Sequence, residues 1–407
     1  MDEVQEQPLK RGLFLHPIIQ ILISGIGATI AILLALVLFA AGIISLLEGS
    51  AGADDFLPFF NMGWSALLVC ALLLPSLIIP IRHLAGKPPS KTGRTLFIPA
   101  LIGLLLWVPL VLVGHWIAQK GWVTWLLLPV IQLFGIALPI FFWIELARRK
   151  LNPAFSDYSW GVFSFGVVIV QPLVILAEIM LILLIGLLFL LWAGMQPELL
   201  NELSRLGQRV MDAQMDPNML ETILLPYLQN PKVIYLGLAI GAGLIPLLEE
   251  LLKPLALWLM IGRKFSAQEG FILGLIAGGT FALLESLGMM ASAGELGWSS
   301  VVIARLGTGI LHVTTTAMVG WGLGAAWKRK KYVQLGGLFL LSFSLHSIWN
   351  LFGLLVGIVP LLPAPGSLGS LVVIGPLALG VLGIAMLLIL VGGNRRLRKV
   401  PSNPVEG

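Results

Sequence analysis

Charge is scarce in this sequence. Of its 407 residues only 11% are Asp, Glu, Lys or Arg, and 58% are hydrophobic, against about 25% charged in an ordinary soluble domain. A water-soluble globule is excluded by that ratio. Cysteine is almost missing: Cys70 stands alone inside an apolar run, so neither a disulfide framework nor a cysteine-built metal centre is available. Long basic stretches are missing too. The net charge of +5 comes from short clusters between apolar runs, which speaks for membrane topology and against a nucleic-acid partner.

What the chain has instead is one apolar stretch after another, each near the 20 or so residues that a helix needs to cross a bilayer core. The fold class is therefore all-α, a polytopic transmembrane helical bundle embedded in the lipid bilayer. The first run, Ile18 to Leu47, is too long for the apolar region of a cleaved signal peptide and reads as a retained anchor. Ten spans are expected, at about 18–47, 62–81, 96–118, 123–145, 161–194, 232–261, 269–292, 300–326, 333–358 and 368–391. Basic clusters fall in every second loop: Lys10 and Arg11; Arg82, Lys87, Lys91 and Arg94; Arg148 to Lys150; Arg263 and Lys264; Lys328 to Lys331; Arg395 to Lys399. By the positive-inside rule these loops are cytoplasmic, which puts both termini inside.

One long polar stretch, residues 195–231, divides the chain. Before it lies an N-terminal membrane region, 1–194, of five spans and no assigned function. After it lies a second membrane domain, 232–391, then a basic cytoplasmic tail, 392–407. The stretch itself reads as an extracytoplasmic linker, in which Leu199, Leu203, Leu206 and Val210 recur at helical spacing with Glu202, Arg205 and Arg209 between them. That pattern predicts an amphipathic surface helix. In the second domain glycines recur every four residues, at Gly237 and Gly241, at Gly270, Gly274 and Gly278, and at Gly320 and Gly324. Such spacing lets membrane helices approach closely.

An ionisable group at mid-bilayer costs about 2.5–3.5 kcal/mol on insertion scales, so those that occur there are paired and serve function. Apart from Glu178, the first five spans hold theirs near span ends; four consecutive later spans do not. The sixth carries Glu249 and Glu250 near mid-membrane with Lys253 within one turn. Since adjacent helical residues point about 100° apart, one glutamate is expected to face a cavity and the other a neighbouring helix. The seventh carries Glu285 with no cation within a turn, so its partner must come from another helix. On the eighth, Arg305 and His312 share a face, ahead of Thr314 to Thr316. Arg305 is a candidate partner for Glu285 or Glu178, with snorkelling to the interface the equal alternative. On the ninth, His346 and Asn350 share a face at i and i+4. The other three histidines, His16, His83 and His115, lie at or near span ends.

Together these residues resemble the PrsW family of intramembrane proteases. The family pattern is Glu-Glu-x-x-Lys, then Phe-x-x-x-Glu, then two separate membrane histidines, the second followed by asparagine. Glu249, Glu250 and Lys253 match the first element, Phe281 and Glu285 the second, His312 the third, and His346 with Asn350 the fourth. Where family members often have asparagine after the second-motif glutamate, this chain has Ser286. The likeness covers about residues 235–355, and the family is in turn similar to the CAAX-type prenyl proteases.

That resemblance implies hydrolysis of a peptide bond in a membrane-anchored protein substrate, by an integral multi-pass protein of a bacterial plasma membrane. Two mechanisms fit. In one, a glutamate is general base on a water while a histidine and Asn350 stabilise the developing oxyanion. In the other, His312, His346 and Glu249 bind zinc and the second glutamate takes the proton of the water. No His-Glu-x-x-His motif is present to put the ligands on one helix. Mid-membrane carboxylates and histidines also build proton or ion transporters, but these often repeat their halves, and here the polar groups crowd into spans six to nine. A third reading, an inactive scaffold, predicts a missing motif residue, and none is missing.

Overall fold

The computed structural model describes residues 17–47, 53–87, 96–120, 124–151, 156–213, 216–261, 265–291, 297–359 and 370–399. Among these every element is helical: α1 (Pro17–Leu47), α2 (Ala53–Leu84), α3 (Phe97–Ala118), α4 (Thr124–Arg148), α5 (Ser156–Phe165), α6 (Gln171–Gly194), α7 (Pro197–Asp212), α8 (Pro217–Leu228), α9 (Pro231–Ala239), α10 (Ile245–Leu252), α11 (Leu255–Trp258), α12 (Ala267–Ala291), α13 (Trp298–Arg329), α14 (Tyr332–Ile358) and α15 (Leu371–Arg398). π-Helical turns join α5 to α6 (Gly166–Val170) and α9 to α10 (Ile240–Leu244). Ten helical segments are long and apolar enough to cross a membrane, one for each expected span. Lys10, Arg11, His16, Lys91, Arg94, Arg263 and Lys264 lie outside the described residues.

Two compact units emerge, the first of Met1–Gln171, Lys253–Ser342 and Gly383–Gly407, the second of Pro172–Leu252 and Phe343–Leu382. The core of the first is the antiparallel pair α12 and α13, both largely buried. Its register is written in glycine. A Cβ on Gly270 would overlap the Gly320 carbonyl, one on Gly274 the Thr316 carbonyl, one on Gly278 the His312 carbonyl, and one on Gly324 the Ser266 carbonyl. Only glycine lets the two backbones touch at these levels. The start of α12 is set by a capping box, in which Ser266 N–H donates to Glu269 Oε2 and Glu269 N–H donates to Ser266 Oγ at 3.2 Å.

Prolines in the surrounding spans each orphan a carbonyl four residues earlier, and side chains answer for two of them. Pro80 cannot donate to the Ser76 carbonyl, which accepts instead from Gln20 Nε2 at 3.1 Å. Pro139 cannot donate to the Gly135 carbonyl, which accepts from Trp107 Nε1 at 2.7 Å. At the end of α4 the Ala147 and Arg149 carbonyls both accept from Asn394 Nδ2, at 2.5 and 2.9 Å. That contact ties α15 to α4 within the first unit. Since α15 runs through Arg398, residues 392–398 expected as a tail continue a helix.

In the second unit α7 is the amphipathic helix that the spacing predicts. Leu199, Leu203, Leu206 and Val210 are its half-buried stripe, and Glu202, Arg205 and Arg209 are exposed. Pro231 opens α9, with Asn230 Oδ1 accepting from Lys232 N at 3.0 Å. The sixth span departs from expectation. It is not one helix to residue 261: the π turn interrupts it, and α10 stops at Leu252 because Pro254 has no N–H to continue the ladder and disfavours the helical region for Lys253. Glu249 and Glu250 therefore occupy the last turn of a helix, and Lys253 lies beyond its end rather than on its face. Gly237 also departs, since an added Cβ there meets nothing within 4 Å.

Candidate active site

The residues singled out by spacing fall into two polar clusters, one in each unit. In the first, Arg305 is buried and its guanidinium donates twice to α12, from Nη2 to Glu285 Oε2 and from Nε to Ser286 Oγ at 2.9 Å. Of the alternatives for Arg305, it takes the pair with Glu285. Ser286, standing where family members often have asparagine, accepts a hydrogen bond from that arginine. The same Glu285 oxygen lies 2.8 Å from His312 Nε2. On the other side of the ring His312 Nδ1 is 2.8 Å from Lys253 Nζ, whose ammonium sits 4.5 Å from the centre of the Phe281 ring. Phe281 in turn meets the His312 ring edge to face at 5.1 Å.

These partners decide the tautomer of His312. An ammonium only donates and a carboxylate only accepts, so Nε2 carries the proton given to Glu285 and Nδ1 accepts from Lys253. Lys253 is 1% exposed, and a lysine so deep needs such partners. The His312 Nδ1 lone pair and the π face of Phe281 are two of them.

In the second unit α14 presents His346 and Asn350. His346 Nδ1 is 2.8 Å from Glu250 Oε1, and His346 Nε2 is 3.8 Å from Glu249 Oε2. Both glutamates are buried and both turn to this histidine, whereas spacing alone divided them between a cavity and a neighbouring helix. Long side chains absorb the 100° between them. Their place at the C-terminal end of α10, where the helix dipole opposes negative charge, makes a donor such as His346 Nδ1–H necessary. The proton held there by Glu250 leaves the Nε2 lone pair turned to Glu249, at a separation longer than a hydrogen bond. Asn350 Nδ2 donates to the Gly241 carbonyl at 3.1 Å.

The two clusters share one device, an imidazole with one ring nitrogen held by a buried or part-buried carboxylate at 2.8 Å. Residues 218–387 match the model of the PrsW family intramembrane metalloproteases. Every motif residue named above lies inside the PrsW match, which extends the likeness beyond 235–355 on both sides; the first 217 residues lie outside it. No curated protein and no solved structure matches the chain. The match supports a protease that acts on protein within a membrane, and the ten apolar helices support an integral, multi-pass protein.

The donor chemistry, taken residue by residue, is of a kind that suits a metal. Glu249, His312 and His346 are all buried and of metal-ligating type, two imidazoles and a carboxylate being a known catalytic zinc set. Metal-bound histidines commonly give their second N–H to a carboxylate, which sets tautomer and ring orientation. Glu285 and Glu250 each stand 2.8 Å from one ring nitrogen of His312 and of His346, respectively. Sequence reasoning named Gly241 only as a close-packing glycine and did not identify Pro246, and the two shape the backbone just before the glutamates; the signal was a proline three residues ahead of Glu249.

Proposed function

We propose that this protein is a metal-dependent intramembrane endopeptidase that cleaves a membrane-anchored protein substrate. The observation that carries the reading is the pairing of each membrane histidine with a carboxylate, inside a region that matches a metalloprotease family. His312, His346 and Glu249 would hold the metal, with Lys253 giving up His312 Nδ1 to it, and zinc suits that donor set. Bound there, the metal supplies Lewis acidity, lowering the pKa of a water and polarising the scissile carbonyl. The chain does the rest. Glu250 keeps the His346 ring in register through Nδ1–H and is the remaining carboxylate for the proton of the attacking water. Glu285 fixes His312 through Nε2–H and is itself fixed by Arg305. Both termini are cytoplasmic on this reading, with 195–231 on the opposite side.

A second reading is favoured by one contact. Lys253 already puts a cation 2.8 Å from His312 Nδ1, so Glu249 could act as base on a water with Lys253 supplying the positive field, and no metal. One experiment separates the two. Protein purified in detergent is assayed for bound metal, then reconstituted in proteoliposomes with FRET-labelled single-span peptides, with and without chelator. Near-stoichiometric metal, loss of cleavage on chelation and recovery with Zn support the metalloprotease. Cleavage by metal-free protein replaces it with the glutamate mechanism. Absence of cleavage together with proton-coupled flux in the same vesicles replaces both with a transporter.

A further inference from the structure

The π turn ahead of the paired glutamates has an identifiable cause and an identifiable clasp. Ile245 N–H reaches back five residues to the Ile240 carbonyl. In that register the next acceptor, the Gly241 carbonyl, would receive the N–H of residue 246. Residue 246 is a buried proline with nothing to give. An α-helical register would be worse, because the proline ring would then clash with the carbonyl of Ala242. So Pro246 favours the wider turn and at the same time orphans the carbonyl inside it. Asn350 Nδ2 supplies the missing donor at 3.1 Å. Close by, an added Cβ on Gly241 would lie 2.8 Å from Leu354 Cδ1, so α14 packs directly on the turn. His346, Asn350 and Leu354 follow at intervals of four and share one face of α14. That face grips the turn with two residues and meets Glu249 and Glu250 with the third.

The register has consequences further along. A π turn holds one residue more than an α turn, and one residue is about 100° of helix. Were the turn to relax, every side chain from 245 to 252 would rotate by that amount, and His346 would face a different pair. We propose that Asn350 is a positioning residue, which holds the π turn by satisfying the Gly241 carbonyl that Pro246 orphans and so registers Glu249 and Glu250 against His346. The inference rests on the peptidase reading for its effect on rate, but not for its effect on stability.

A double-mutant cycle tests it. The variants are Asn350→Ala, Asn350→Asp, Pro246→Ala and the two doubles, read by unfolding in mixed micelles and by cleavage of a FRET-labelled single-span peptide in proteoliposomes. Asn350→Ala and the near-isosteric Asn350→Asp both lack the N–H donor. Each is expected to lose about a hundredfold in kcat, the scale of an ångström-sized misplacement of reacting groups, with KM little changed. Pro246→Ala restores a backbone N–H for the Gly241 carbonyl. The doubles are therefore expected to recover at least tenfold of that loss, with stability effects that are less than additive. Doubles that stay as inactive as the single Asn350 variants, with additive stability effects, would overturn the proposal and make Asn350 a group that acts on the substrate. Retained activity in Asn350→Asp would overturn it as well. Should wild-type protein cleave nothing, the peptidase reading fails while the stability cycle still decides the role of Asn350. If Asn350→Ala does not fold, the Asn350→Asp arm gives the same reading.

Discussion

Gly278 faces the His312 carbonyl across the α12–α13 contact, and replacing it by alanine should damage the site without touching a polar group. The added Cβ would overlap the carbonyl oxygen, and it would also lie 2.9 Å from the His312 carbonyl carbon and 3.0 Å from Thr316 Cβ. Backbone cannot rotate aside as a side chain can. To restore ordinary contact the helices must part by roughly an ångström. The Glu285–His312 bond is 2.8 Å long, so a shift of that size takes it past hydrogen-bond range. Losing a bond to a charged group costs about 1.5–3 kcal/mol, and overpacking a close contact costs about 1–3 kcal/mol. These overlap, and alanine returns up to about 1 kcal/mol of helix propensity. The net expectation is a loss of about 2–4 kcal/mol together with most of the activity. Gly288 on the same helix is the control, since an added Cβ there meets nothing within 4 Å, and Gly288→Ala should be neutral or slightly stabilising. Unfolding in mixed micelles, followed through the 13 tryptophans, compares the two. Equal stability for both variants would refute the claim that backbone contact at His312 organises this cluster.

Further expectations concern the polar residues and the topology. Glu249→Gln should abolish cleavage in protein that still folds and inserts. Glu250→Ala, which removes the acceptor for His346 Nδ1–H, should lower metal affinity by about 10–100-fold, measured by competition with a chelating dye. Arg305→Leu leaves Glu285 without its guanidinium and should cost up to about 3 kcal/mol, below the full penalty of a buried charge because the Glu285 side chain is 30% exposed; adding Glu285→Gln should recover part of that loss in the same unfolding assay. Reporter fusions at residues 50 and 210 should read extracytoplasmic and those at 90 and 330 cytoplasmic, and an inside location for 210 would overturn the orientation.

The spans were legible because the signal is local: about 20 apolar residues in a row mean the same thing wherever they occur. The amphipathic stripe of α7 was legible for the same reason. The pairing of Glu285 with Arg305 is different, since it needs the register of two helices that are separate in sequence. That register was nonetheless present in the glycines. If 270 stands opposite 320, 274 opposite 316 and 278 opposite 312, the same antiparallel count carried seven residues further puts 285 opposite 305. Read one helix at a time, the glycines predicted closeness but not a partner.

What spacing could not give was the path of the sixth span. Counting at 100° per residue assumes an unbroken α-helix, and the two residues that break it, Pro246 and Pro254, look alike in the sequence but act in opposite ways. Pro254 ends α10 and removes Lys253 from the helical face, after which that side chain meets His312 instead. Pro246 ends nothing: it is carried through a π turn because a side chain 104 residues later donates to the carbonyl that it strands. Whether a proline stops a helix or only widens it thus depends on a distant donor. A change at Asn350 should therefore be felt at Glu249 through the backbone that runs from Gly241.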